Sequence, residues 1–227
     1  MEETLTFKFD DKRVQYLITT DDKLSKLIKC IGNVELKVES DGFRCIVKYI
    51  IGQQISDKAR ETIWKRLCKL CGNLTPVTFM EQSYETLRSL GLSSRKIEYM
   101  RILSNCLIDG KIELKKMESL SNKEIINKLI SIKGIGCWTA EMYLIFGLGR
   151  LDVLSPNDRT IRRSIQWMYN LEHLPREQEV MNYFKKWESN ETIVSLYFWK
   201  AISLGLQKVP FNNLYSVRGG ILYETES

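Results

Sequence analysis

Two stretches of the chain concentrate side chains and backbone able to do chemistry. In Ile132-Lys133-Gly134-Ile135-Gly136 two glycines let the backbone turn sharply and bring its N–H groups close to a ligand. Those N–H groups lie at the positive end of the following helix, a natural seat for a phosphate, although the same pattern also serves as a plain connection between helices. Farther on, Asp158 stands just after Pro156 and just before the helical pattern RTIRRSIQW, where capping alone accounts for it. A carboxylate fixed at a helix N-terminus is also rigidly placed, which is what stabilising a developing positive charge, or orienting a water, requires. Arg159, Arg162 and Arg163 follow it, either to meet phosphate or to form a solvated helix face.

The elements that must carry these residues are helices. From about Asp21 onward the apolar residues recur at helical spacing, punctuated by Gly and Ser. DDKLSKLIKCIG and FRCIVKYIIGQQIS read as helices, the second ending near Gly52; Ser56 caps DKARETIWKRLCKLCG, which stops at Gly72. Ser83 starts SYETLRSLG, Ser93 or Ser94 starts SRKIEYMRILSNCLIDG, and Ser121 with Glu124 forms a capping box before IINKLI. Helices then follow in CWTAEMYLIFGLG, IRRSIQWMYNL, PREQEVMNYFKKWE and NETIVSLYFWKAISLG. TLTFKF alternates and predicts a short N-terminal strand or hairpin, whereas PFNNLYSVRGGILYETES has no clear period. The predicted fold class is all-α.

Lys and Arg number 34 against 28 Asp and Glu, a net +6, which suits a polyanionic partner. No run approaches the roughly 18 apolar residues of a membrane span, and the first residues lack the pattern of a secretion signal. An intracellular protein is expected, cytoplasmic in a prokaryote and nuclear in a eukaryote, working as a monomer. The six cysteines, scattered through helical patterns, read as reduced thiols; Cys68 and Cys71 form one CxxC without a second, which argues against zinc.

KGIGCWTAEMYLI followed by DVLSPNDRTIRRSI resembles the signature of the helix-hairpin-helix DNA glycosylases with a Gly/Pro-rich loop and an aspartate. IIGQQIS, GIGCWTA, SPNDRTIRR and SLYFWKA resemble the 3-methyladenine DNA glycosylase II branch, and the likeness runs from about Asp21 to Gly205. It implies a two-lobed helical fold with the active site in the cleft between lobes, one formed by residues 44–145 and the other by 1–43 with 146–227. Asp158 takes the place of the catalytic aspartate. Trp138, Trp199 and Met142 fall at base-pocket positions, and an indole face attracts a cationic methylated base by about 0.5–2 kcal/mol. Met142 and Arg159 stand where some members have aromatic residues, so the pocket is expected to be less aromatic.

The resemblance further implies that Gln54, with Gln53, fills the gap left by the extruded nucleotide, and that Lys133, Gly134, Ile135, Gly136 and Arg159 meet the phosphate backbone. Members that also cut the backbone carry a Schiff-base lysine two residues after the second hairpin glycine; that position is Trp138, so hydrolysis without lyase activity is expected. No cysteine follows Cys137, which excludes the four-cysteine iron-sulfur cluster of endonuclease III. No organic cofactor is expected, and no metal held by side chains; the family's hairpin often holds a monovalent cation on backbone carbonyls. The function implied is release of alkylated purines, 3-methyladenine and 7-methylguanine, from double-stranded DNA, with a hypoxanthine or uracil glycosylase or a non-catalytic DNA-binding module as alternatives.

Overall fold

In a computed structural model of the chain, residues 2–217 and 220–223 are described, with side chains over 3–214. The opening strand β1 (Glu2–Phe7) leads into helices α1 (Lys12–Thr20) and α2 (Asp22–Ile31), then strand β2 (Val34–Glu39). Helices α3 (Gly42–Gly52), α4 (Asp57–Cys71), α5 (Pro76–Met80), α6 (Tyr84–Ser89), α7 (Ser94–Ile108), α8 (Asn122–Ile130) and α9 (Cys137–Phe146) follow. The chain continues through α10 (Arg159–Tyr169), α11 (Glu177–Phe184) and α12 (Glu191–Ser203) to strands β3 (Leu214–Val217) and β4 (Gly220–Tyr223). Helix predominates, as the apolar spacing predicts. Among the described residues no helix is long and apolar enough to cross a membrane.

Start signals are explicit. Ser56, Ser83 and Ser93 each accept from the N–H three residues on, and Ser121 with Glu124 completes a capping box on α8. Of the two serines that compete to start α7, Ser93 is the cap and Ser94 the first helical residue.

The described structure departs from the sequence reading in its strands and in two helices, α1 and the short α5. A strand does form at TLTFKF, over Glu2–Phe7 and so without Lys8 and Phe9, but its partner is β2, two helices later, rather than a hairpin neighbour. In β2, Val34, Leu36 and Val38 are buried while Glu35 and Lys37 are exposed, the alternation of a half-buried strand. Helix α1 precedes the expected first helix and buries Val14 and Leu17. The aperiodic C-terminal stretch pairs β3 with β4 in antiparallel register, Leu214 opposite Tyr223. Arg218, Gly219 and residues 224–227 lie outside the described residues.

The chain divides into two compact units: Val38–Gly149 with Met1–Glu3, and Thr4–Lys37 with Arg150–Ser227. In the first, α9 packs on α3 and α8, and α7 on α5 and α3, around Ile46, Ile50, Leu129, Leu144 and Ile145, all fully buried. In the second, α12 packs on α10 and α2 around Trp187, Tyr197, Phe198 and Ile165. Here Asp21 caps α2 through Leu24 N–H (2.8 Å) and accepts from Tyr169 Oη (2.6 Å) and the Lys186 ammonium. Burial alone would raise the Asp21 carboxyl; these three donors reverse that and hold it below its ordinary pKa.

Candidate functional site

In the first unit α8 and α9 are joined by Ser131–Gly136, the predicted glycine hairpin. Its two glycines do different things. Gly134 has φ +97°, and a Cβ there would lie 2.0 Å from Tyr99 Cγ, so both conformation and space demand glycine. Gly136 has φ −95° and ψ 174°, and nothing lies within 4 Å of a Cβ built on it. Its backbone needs no glycine, contrary to the expectation that both residues make the turn. As the N-cap of α9 it accepts Ala140 N–H on its own carbonyl and has no side chain to bond to the helix's first N–H groups, so a ligand can approach them closely.

A groove of about 790 Å³ runs along this hairpin. Gly134, Ile135 and Gly136 line it together with Gln54 and the first turn of α7, including Arg95 and Lys96. Lys133 is absent from the lining; its ammonium pairs with Glu98 on α7 at 2.6 Å. The resemblance expects Lys133 to meet phosphate; in the structure its partner is a carboxylate on the exposed face.

The Gln pair also separates. Gln53 Nε2 donates to Gly134 O (3.1 Å) and Thr139 Oγ1 (3.0 Å), so this amide is committed to the hairpin. Gln54 is exposed and sits at φ +58°, a left-handed conformation uncommon outside glycine. Of the two candidates for filling a gap in DNA, only Gln54 presents its side chain outward.

Trp138, in the first turn of α9, meets Tyr49 edge-on at 5.9 Å, and Tyr49 stacks on Phe146 at 5.3 Å. The Arg60 guanidinium lies over the Tyr49 ring, 5.6 Å from its centroid. Burial raises the Tyr49 phenol well above its ordinary pKa, keeping it neutral. Met142, one turn beyond Trp138, is buried. Tyr49, Tyr99 and Lys96 are absent from the sequence reading because apolar or charged residues at helical spacing carry no sign of a neighbour distant in the chain.

The second unit holds Asp158 and Trp199. Asp158 is the N-cap of α10: Oδ1 accepts Thr160 N–H at 2.8 Å and Ile161 N–H at 3.0 Å. The indole N–H of Trp199, on α12, donates to the same oxygen at 3.3 Å. Only 8% of Asp158 is exposed, so capping and a rigidly held carboxylate coexist in one residue. Arg162 Nε is spent on Pro175 O at 2.7 Å, whereas Arg159 and Arg163 are exposed. Among the described residues no group of three or more His, Cys, Asp or Glu is placed to hold a metal ion, and all six cysteines are free thiols.

The family model described as HhH-GPD superfamily base excision DNA repair protein matches residues 47–189. DNA-3-methyladenine glycosylase 1 of Schizosaccharomyces pombe is 31% identical over 196 residues, covering 83% of this chain and 86% of that protein. Among solved structures, a DNA-3-methyladenine glycosidase from Bacillus halodurans is similar with TM-score 0.77 and 34% identity, over 91% of this chain and 96% of that one. The S. pombe 3-methyladenine DNA glycosylase in complex with abasic DNA is similar with TM-score 0.79 and 29% identity, over 85% and 97%.

Proposed function

We propose, from the premise that this chain belongs to the HhH-GPD superfamily of base excision DNA repair proteins, that it is an alkylbase DNA glycosylase. It hydrolyses the N-glycosidic bond of 3-methyladenine and 7-methylguanine in duplex DNA, the first step of base excision repair. The observation that carries this reading is Asp158, a buried carboxylate at a helix N-terminus with one oxygen fixed by two backbone N–H groups and an indole.

As the bond from the sugar to the base nitrogen lengthens, its electron pair leaves with the base and positive charge grows on the sugar. Asp158 stabilises that charge, and its fixed orientation means little reorganisation as the charge develops. Water adds to the sugar carbon and loses a proton, to the carboxylate or to solvent. A base methylated at N3 or N7 is cationic before cleavage, so the departing electron pair neutralises it and no prior protonation is needed. The indole of Trp199 beside Asp158 favours such a cation by about 0.5–2 kcal/mol.

The hairpin and its groove serve the DNA backbone, with Arg159 as a second phosphate contact, and Gln54 fills the space of the extruded nucleotide. A monovalent cation would be held on hairpin carbonyls such as Ile132 O, which accepts Ile135 N–H, and Gly134 O, which accepts Gln53 Nε2, since a carbonyl has two lone pairs. Such a cation would add positive charge facing a phosphate. Trp138 stands where lyases carry their nucleophilic lysine, so release proceeds by hydrolysis alone. The protein acts as a monomer inside the cell, on duplex DNA containing a damaged base.

The test is release of free base from duplexes that each carry one lesion: 3-methyladenine, 7-methylguanine, hypoxanthine or uracil. Release of the two methylated purines without added organic cofactor is expected. Release of uracil or hypoxanthine alone would overturn the substrate assignment, and binding without any release would make the protein a DNA-binding module.

A further inference from the structure

The turn that follows α3 is held from below by a lysine. Lys96, in the first turn of α7, donates to Ile51 O at 2.6 Å and to Gln53 O at 2.9 Å. Within the same turn Gln53 N–H bonds to Ile50 O and Ile55 N–H to Gly52 O. The ammonium thus supplies donors for carbonyls that the end of α3 leaves without helical partners. A cation at the C-terminus of α3 is favourable, but one in the first turn of α7 opposes that helix's dipole. Burial also lowers the Lys96 pKa, and the groups it donates to are the neutral carbonyls of Ile51 and Gln53 rather than a carboxylate. A lysine so placed is a poor choice for stabilising α7 and a good one for fixing the turn.

The turn it fixes contains Gln54 at φ +58°, and Gln53 ties the same turn to Gly134 and Thr139. We propose that Lys96 is a positioning residue: its two hydrogen bonds hold the Gln53–Gln54 turn in the pose from which it enters the DNA, in register with the hairpin that grips the backbone. This rests on the reading that Gln54 fills the gap beside the target nucleotide. A turn left to fluctuate would lose entropy on each insertion, so removing Lys96 weakens recognition of a gap more than binding to DNA in general.

The test uses the full chain with two duplexes of one sequence, one intact and one containing a tetrahydrofuran abasic-site analogue opposite 2-aminopurine. Wild-type protein is expected to prefer the abasic duplex and to change the 2-aminopurine fluorescence as the turn enters. Lys96→Met should lower that preference by about tenfold, the effect of losing a charge-assisted hydrogen bond; because Lys96 also lines the groove, affinity falls on both duplexes, and about tenfold further on the abasic one. Lys96→Arg, which can still donate to two carbonyls, should recover part of the preference.

An unchanged preference in folded Lys96→Met overturns the proposal, as does an equal loss on both duplexes. Should Lys96→Met fail to fold, Lys96→Gln is read in the same way: a reduced preference supports the proposal and an unchanged one overturns it. Base release by wild type is measured alongside. A wild type that prefers abasic DNA but releases no base counts against the glycosylase reading alone, whereas one that cannot distinguish the two duplexes overturns the proposal made here.

Discussion

Three donors converge on Oδ1 of Asp158, and they differ in kind: the two N–H groups of α10 come with the helix itself, while the Trp199 indole at 3.3 Å is supplied by α12. Trp199→Phe removes the third donor and keeps most of the aromatic surface. Base release should fall by about tenfold, the scale of one hydrogen bond to a charged group, while intact-duplex affinity stays level; an unchanged release rate would leave the indole without a part in holding the carboxylate. Trp138 carries a separate expectation. Borohydride added during turnover should trap no enzyme–DNA adduct, and a trapped adduct would contradict simple hydrolysis. Asp158 was legible in the sequence because a helix N-cap is a local pattern. The pairing of Lys133 with Glu98 was not, because it joins residues 35 apart in the chain, and the separation of Gln53 from Gln54 depends on Gly134 and Thr139, distant in the chain.

At the level of elements, the hairpin between α8 and α9 makes two glycines testable against each other. Gly134→Ala meets both a positive φ and the Tyr99 side chain close to its root, and should cost about 2–4 kcal/mol, read as a lowered Tm. Gly136→Ala meets neither obstacle and should leave Tm nearly unchanged while weakening DNA binding, since its methyl group stands before the first N–H groups of α9. Equal behaviour of the two variants would contradict this division. The GxG spacing located the hairpin but could not say which glycine the fold needs, because Tyr99 reaches Gly134 from α7. The helices with serine caps and long apolar stripes were readable for the same local reason that Asp158 was. Strand β2 was hidden between two helical patterns, and its pairing with β1 is non-local.

Over the whole molecule the charge of +6 predicts binding that weakens steeply with salt, by about 0.9 in log K per log salt for each phosphate contacted; a flat dependence would argue against backbone contacts. Stability should also vary with pH through Asp21. Its native pKa lies below the ordinary value, so its contribution is present above about pH 4 and is lost as pH falls through the native pKa. Asp21→Asn should therefore lower Tm near neutrality and converge with wild type in acid; a constant difference at all pH values would contradict this. Neither property bears directly on bond cleavage, for which the proposed mechanism relies on one carboxylate. The decisive measurement is single-turnover release of 3-methyladenine from duplex DNA by Asp158→Asn, alongside its affinity for the same duplex. The asparagine keeps an oxygen to accept from Thr160 and Ile161 but carries no charge, so release should be abolished with binding retained. Release at the wild-type rate would contradict the role assigned to Asp158.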